Sequence, residues 1–116
     1  MIFKNVILRT NADNPLTITE TGVGDMSAKD YYMDFVNEAG AVVLELTSTG
    51  VSPAITVSYV SPTNIIAILV SRTNIDDTAK FVLNGKYKAS LKRVNTTELI
   101  ISDFEFIVNE GYTDNP

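Results

Sequence analysis

The chain has 116 residues, of which 45% are hydrophobic and 20% charged, and its net charge is −5 with no cysteine and no histidine. Those absences remove disulfides, thiolate metal sites, cysteine nucleophiles, the commonest general base and the commonest transition-metal ligand. Net acidity argues against a nucleic-acid partner, which is held by clustered Lys and Arg, and no apolar run nears the roughly 20 residues of a membrane-spanning helix, so no membrane insertion is expected.

Apolar residues follow period two almost throughout, in segments rich in Val, Ile, Thr and Tyr, and this pattern predicts strands. The first is Ile2–Arg9; its apolar residues are broken by Lys4 and Asn5 with no small-residue cleavage site, so it reads as a strand and not as a signal peptide. The next covers 16–20, after the breaker Asn14-Pro15, and a turn-rich stretch, 21–29, follows. A hairpin is predicted from 31–36 and 41–47, with Tyr31, Met33 and Phe35 on one side, Val42, Leu44 and Leu46 on the facing one, and turn chemistry at 37–40.

After a loop at 48–53, residues 54–60 place Ile55, Val57 and Tyr59 inward. Residues 65–70 are apolar without alternation, as expected of a strand covered on both faces or lying in an oligomer contact. One helical turn is predicted within 75–81, capped by Asn74 or Asp76. Strands at 86–94 and 98–108 close the pattern. In the last, Leu99 and Ile101 are odd whereas Phe104, Phe106 and Val108 are even, which calls for a bulge at Ser102-Asp103. Pairing across this hairpin would set Arg93 against Glu98, Lys88 against Asp103 and Lys86 against Glu105.

Seven or eight short strands with almost no helix describe an all-β two-sheet sandwich or a small barrel. The most specific local signal is Leu83-Asn84-Gly85-Lys86-Tyr87-Lys88-Ala89. In immunoglobulin-like sandwiches a Gly-containing turn leads into a strand whose early Tyr sends its hydroxyl back to upstream backbone, with a cysteine two residues on; here that place is Ala89. The expected fold is therefore an immunoglobulin-like antiparallel sandwich, one domain over 1–116 with a polar C-terminal arm, 109–116. An ordinary hairpin turn with a half-buried tyrosine is the competing reading.

Chemistry is thinly represented. Asp25, Asp30 and Asp34, or Asp76 and Asp77, are the carboxylates available for acid–base work, but solvated loop acids are the simpler reading. Asn11, Asp13 and Asn14 offer oxygen ligands without the spacing of a calcium loop, and Gly22-Val23-Gly24 precedes no helix or lysine of a phosphate loop. No enzyme, metal or cofactor is expected. A glycan platform would have to use Tyr31, Tyr32, Tyr59 and Tyr112, since Trp is absent.

Charge is segregated. Residues 1–60 hold seven acids and three bases, 72–93 hold six bases and two acids, and 98–116 hold five acids and no base. Such blocks either meet within the fold or face partners; in an assembly, Lys86, Lys88 and Lys92 form a basic strip and Tyr112 is the anchor of an acidic tail. Over 65–113, Thr78, Leu83, Gly85, Tyr87, Phe104, Val108 and Thr113 carry a pattern that resembles the immunoglobulin-like domains of tailed-phage virion proteins, such as the N-terminal domain of siphophage baseplate upper proteins. Asp103 departs from that family's glycine. The resemblance implies a structural protein of a phage particle, in tail, baseplate, neck or capsid, that binds other virion proteins and copies of itself and is found in the virion. A carbohydrate-binding or adhesion module is the alternative.

Overall fold

Strands form where β-branched and aromatic residues alternate with polar ones, and the alternation decides which side chains enter the core. The computed structural model describes residues 2–94 and 97–111. Its elements are β1 (Ile2–Arg9), β2 (Asn14–Thr21), β3 (Asp30–Asn37), β4 (Val42–Thr47), β5 (Ile55–Val60), β6 (Thr63–Val70), α1 (Arg72–Ile75), β7 (Lys86–Val94) and β8 (Glu98–Asn109).

They make two sheets, one of five strands in the order β1-β8-β7-β3-β4 and one of three in the order β2-β6-β5. Every pairing is antiparallel except β1 with β8. Lettered along the chain, β2, β6 and β5 are strands B, E and D, while β8, β7 and β3 are G, F and C with β4 beside C as an added C′. The fold is an immunoglobulin-like β-sandwich whose first strand has joined the G edge.

The core lies between the sheets. Tyr31, Met33 and Phe35 of β3, Tyr87, Ala89 and Leu91 of β7, and Phe104, Phe106 and Val108 of β8 face Ile18, Ile55, Ile66, Ile68 and Val70 of the smaller sheet, all buried. Each large apolar side chain so buried contributes about 1.5–3 kcal/mol. Phe35 stacks on Phe106 at 5.2 Å and meets Phe81 edge-on at 5.8 Å, and Phe81 in turn meets Tyr87 at 4.8 Å. The segment crossing between the sheets after α1 therefore caps the core with an aromatic ring.

Near the far end of β7 a charge is buried as well. Arg93 points inward and its Nη1 donates to Glu20 Oε1 of β2 at 2.5 Å, bridging the two sheets. Burial opposes the guanidinium's charge, but the bonds to Glu20 and to Tyr31 Oη more than offset it and hold its pKa above the ordinary arginine value.

Several expectations are corrected. The bulge sits one step earlier than Ser102-Asp103: Leu91 pairs with Ser102 and Lys92 with Ile100, leaving Ile101 as the extra residue. Cross-strand charge pairs shift accordingly, with Lys88 opposite Glu105, Lys86 opposite Ile107, and Arg93 opposite Leu99. The helical turn lies at Arg72–Ile75, because Ser71 directly after β6 accepts from Asn74 N–H and starts it there; Asp76 ends it. Residues 77–81 form a separate turn in which Asp77 O accepts from Lys80 and Phe81 N–H.

Val42 is exposed because a bulge between Phe35 and Val36 shifts the register, so that Phe35 pairs with Leu44 and Val36 with Val42. Strand β6 is central in its sheet but covered on one face only, with Ile66, Ile68 and Val70 buried and Ala67 and Leu69 exposed. The strand β8 runs through Asn109, and Gly111 is buried against Thr10, its N–H donating to Thr10 Oγ1 at 3.1 Å. The segment at 109–116 thus begins as strand and docked backbone. Tyr112 and Thr113 lie outside the described residues.

Candidate protein-binding surface

Glycine at 85 is required where β7 begins. A Cβ there would come within 2.9 Å of both Tyr87 Oη and Val82 O, and 2.8 Å of the Val82 side chain. The gap lets Tyr87, buried in the core, extend its hydroxyl to accept from Val82 N–H at 2.8 Å. Asn84 N–H donates to Val108 O and Val108 N–H to Gly85 O, so the turn is also pinned to β8. Leu83 of the same motif is exposed and adds nothing to the core, whereas Ala89 is buried. These bonds fix the start of β7, and with it the direction of the lysines that alternate along the strand.

Because Tyr87, Ala89 and Leu91 point inward, Lys86, Lys88, Ser90 and Lys92 point outward onto the five-stranded sheet. Cross-strand neighbours order this face in rows. One row is Glu105, Lys88, Val36 and Val42; the next is Asp103, Ser90, Asp34 and Glu45; a third is Ile100, Lys92, Tyr32 and Thr47. In the third row, Lys92 pairs with Glu98 at 3.4 Å, sits 5.5 Å from the Tyr32 ring centre, and Tyr32 Oη donates to Glu98. That group satisfies itself.

The middle row is acidic. Ser90 Oγ donates to Asp103, and Asp34 Oδ1 is buried with no hydrogen-bond partner among the described residues. Glu45 stands beside Asp34: its protonated form can donate a hydrogen bond to that carboxylate and its charged form is repelled by it, which raises the pKa of Glu45 above its ordinary value. No group of three or more acids placed to hold a metal ion occurs among the described residues. The loop carboxylates have other duties: Asp25 accepts from the Ser27 hydroxyl and N–H, which lowers its pKa, and Asp76 accepts from Asn11 N–H and pairs with Arg72. Asp13 accepts from Arg72 N–H and Asn14 ties Arg9 to Ala12, so the predicted oxygen cluster clasps α1 to the β1–β2 turn.

Above the first row lies a groove of about 530 Å³ lined by Val36, Glu38, Lys86, Lys88, Glu105 and Ile107 among others, with Asn5 beside them. Asn5 stands at its rim with φ 57°, at the irregularity in β1 between Phe3 and Val6. Of the six bases in 72–93, Arg72, Lys80, Lys92 and Arg93 are ion-paired, whereas Lys86 and Lys88 make no ion pair among the described residues. Two exposed lysines therefore flank a partly apolar groove. The lysine alternation was visible in the sequence; the groove was not, because it arises where β1 bulges beside the β3–β4 turn. Of the tyrosines considered for a glycan platform, Tyr31 is buried, Tyr32 is engaged as above, and Tyr59 faces the interior side of β5.

No protein-family model and no curated protein matches the chain. Among solved structures, the extracellular domain of the voltage-gated sodium channel β4 subunit is 10% identical, with 96% of this chain and 93% of that one covered and a TM-score of 0.43. A ZIG-8–RIG-5 IG1–IG1 heterodimer chain gives 11% identity over 96% and 82%, with a TM-score of 0.28. The V domain of amphioxus IgVJ-C2 gives 13% over 94% and 99%, with a TM-score of 0.33. At those scores the likenesses carry no argument, and the fold assignment rests on the strand order above.

Proposed function

We propose that this chain is a non-enzymatic protein-binding domain, and that its docking surface is the groove on the outer face of the five-stranded sheet. The observation that carries this reading is Lys86 and Lys88, exposed beside apolar Val36 and Ile107 without an ion pair among the described residues. Glu38 and Glu105 line the groove as well, so it suits an extended segment with one apolar side chain whose acids meet Lys86 and Lys88 and lie clear of those two carboxylates. Residues 109–116, with Tyr112 and two acids, have that chemistry and are the first probe to use. Added as a peptide to the intact protein, they should shift the amide signals of Lys86, Lys88 and Ile107. Lys86→Glu with Lys88→Glu should weaken the effect at least about tenfold, and added salt should weaken it too. Failure of acidic peptides to perturb these signals would remove the groove from the reading.

The finer assignment is a structural component of a tailed-phage particle, located in the virion, which the resemblance over 65–113 supports. Its test is separate: the protein should co-sediment with particles and rebind particles that lack it. Deleting residues 112–116 should reduce that rebinding while leaving the thermal midpoint of the free domain nearly unchanged. Strictly monomeric protein that ignores such particles would refute the assignment.

A further inference from the structure

The two sheets expose four edge strands, and three of them carry features that block further pairing. In β1 these are Lys4, Arg9 and the irregular Asn5; in β2 they are Pro15 and Glu20; in β4 they are Glu45 and the bulge beside Val42. Strand β5, Ile-Thr-Val-Ser-Tyr-Val, has no charge, no proline and no bulge. Leu69 N–H donates to Ala54 O at 2.9 Å, and β5 pairs with β6 in unbroken antiparallel register. Hydrogen-bonded pairs alternate in such a ladder, so Thr56, Ser58 and Val60 also bond to β6. The N–H and C=O groups of Ile55, Val57 and Tyr59 point to the open edge, where no further backbone hydrogen bond meets them among the described residues.

We infer that the β5 edge is a self-association site that takes the β5 strand of a second copy, antiparallel, about a two-fold axis at Val57. The sequence fits itself in that register. Val57 meets its own counterpart, Ile55 lies opposite Tyr59 of the other copy, and the three pairs exchange six backbone hydrogen bonds. On the outer face Thr56 falls opposite Ser58, a hydroxyl pair, and the inner side gains a β-branched–aromatic pair; both are favourable cross-strand partners. Charge supports the same occupant. Each copy carries −5, yet the outer face of the three-stranded sheet, with Thr17, Thr19, Ile65, Ala67, Thr56 and Ser58 in adjoining rows, has no charged residue to repel the other. A charged partner strand would find nothing there to pair with.

Pairing over so short a strand buries less than the roughly 1,200 Å² of a stable interface, so the dimer is weak, with a dissociation constant of about tens to hundreds of micromolar. Analytical ultracentrifugation of the full chain from about 10 µM to 1 mM should show a monomer–dimer equilibrium. Thr56→Lys with Ser58→Lys, both at exposed positions, sets like charges opposite each other and should raise the dissociation constant at least about tenfold. Thr56→Lys with Ser58→Glu sets opposite charges in the same places and should restore it. Val57→Pro removes an N–H that β6 does not use and should also give monomer, with circular dichroism confirming that each variant is folded. Monomer throughout the range, or a dimer indifferent to the paired lysines, or no restoration by the charge swap, would overturn the inference. Lys86→Glu with Lys88→Glu should leave this equilibrium intact, so the outcome is independent of the groove.

Discussion

Replacing Tyr87 with phenylalanine removes one oxygen atom and tests whether the start of β7 is held as described. The ring is buried and keeps its contact with Phe81 at 4.8 Å, so apolar packing is unchanged. What is lost is the acceptor for Val82 N–H at 2.8 Å. An amide left without its partner in a dry site costs about 1–3 kcal/mol. Val82 itself is exposed and its bond only part-buried, so water reaches the amide in the variant and the cost falls to about 1–2 kcal/mol. For a chain of this size, 1 kcal/mol corresponds to about 4 °C in Tm, so calorimetry should find a fall of about 4–8 °C. Amide exchange should quicken first at Val82. A shift under about 1 °C, well below the net worth of a typical hydrogen bond, with Val82 still protected, would refute the corner and leave an ordinary hairpin turn.

Other expectations follow from the same geometry. Gly85→Ala should cost about 1–3 kcal/mol in denaturant unfolding, because its Cβ would lie within 3 Å of Val82 and the Tyr87 hydroxyl. Glu20→Ala leaves Arg93 buried with only Tyr31 Oη and should cost about 2–4 kcal/mol, somewhat less than a fully enclosed pair, since Glu20 keeps part of its water. Glu20→Leu with Arg93→Met should recover most of that loss, as apolar replacements of buried pairs do. Glu45, whose pKa is raised in the fold, binds more protons folded than unfolded; its contribution is present below its ordinary value of 4.5 and is lost as pH rises through the raised one. Asp34→Asn should therefore return the Glu45 titration, followed by carboxyl NMR, to its ordinary range and flatten that decline.

The amino-acid pattern makes most of the strands legible, because the period-two alternation of residues such as Tyr31, Met33 and Phe35 admits one buried face, although 65–70, apolar without alternation, and 98–108, which changes parity, do not follow it. It also determined the turn before Tyr87, where Asn-Gly chemistry and an early tyrosine coincide, and the outward direction of Lys86, Lys88 and Lys92, which alternate with Ala89 and Leu91. Neighbours distant in the chain set the rest. The sheet that β1 joins follows from pairing with β8, about a hundred residues on, and a single strand's pattern reads the same whichever partner it takes. Arg93 was expected to face Glu98, but the alternation of β7 puts it on the inward face with Tyr87, Ala89 and Leu91, and only the packing of the two sheets supplies its partner there, Glu20, on a strand some seventy residues earlier. The groove, too, exists only where β1, the β3–β4 turn and the β7–β8 ladder meet. Local propensity sets which face of a strand is buried; the pairing of strands sets what that face, and the one opposite, can touch.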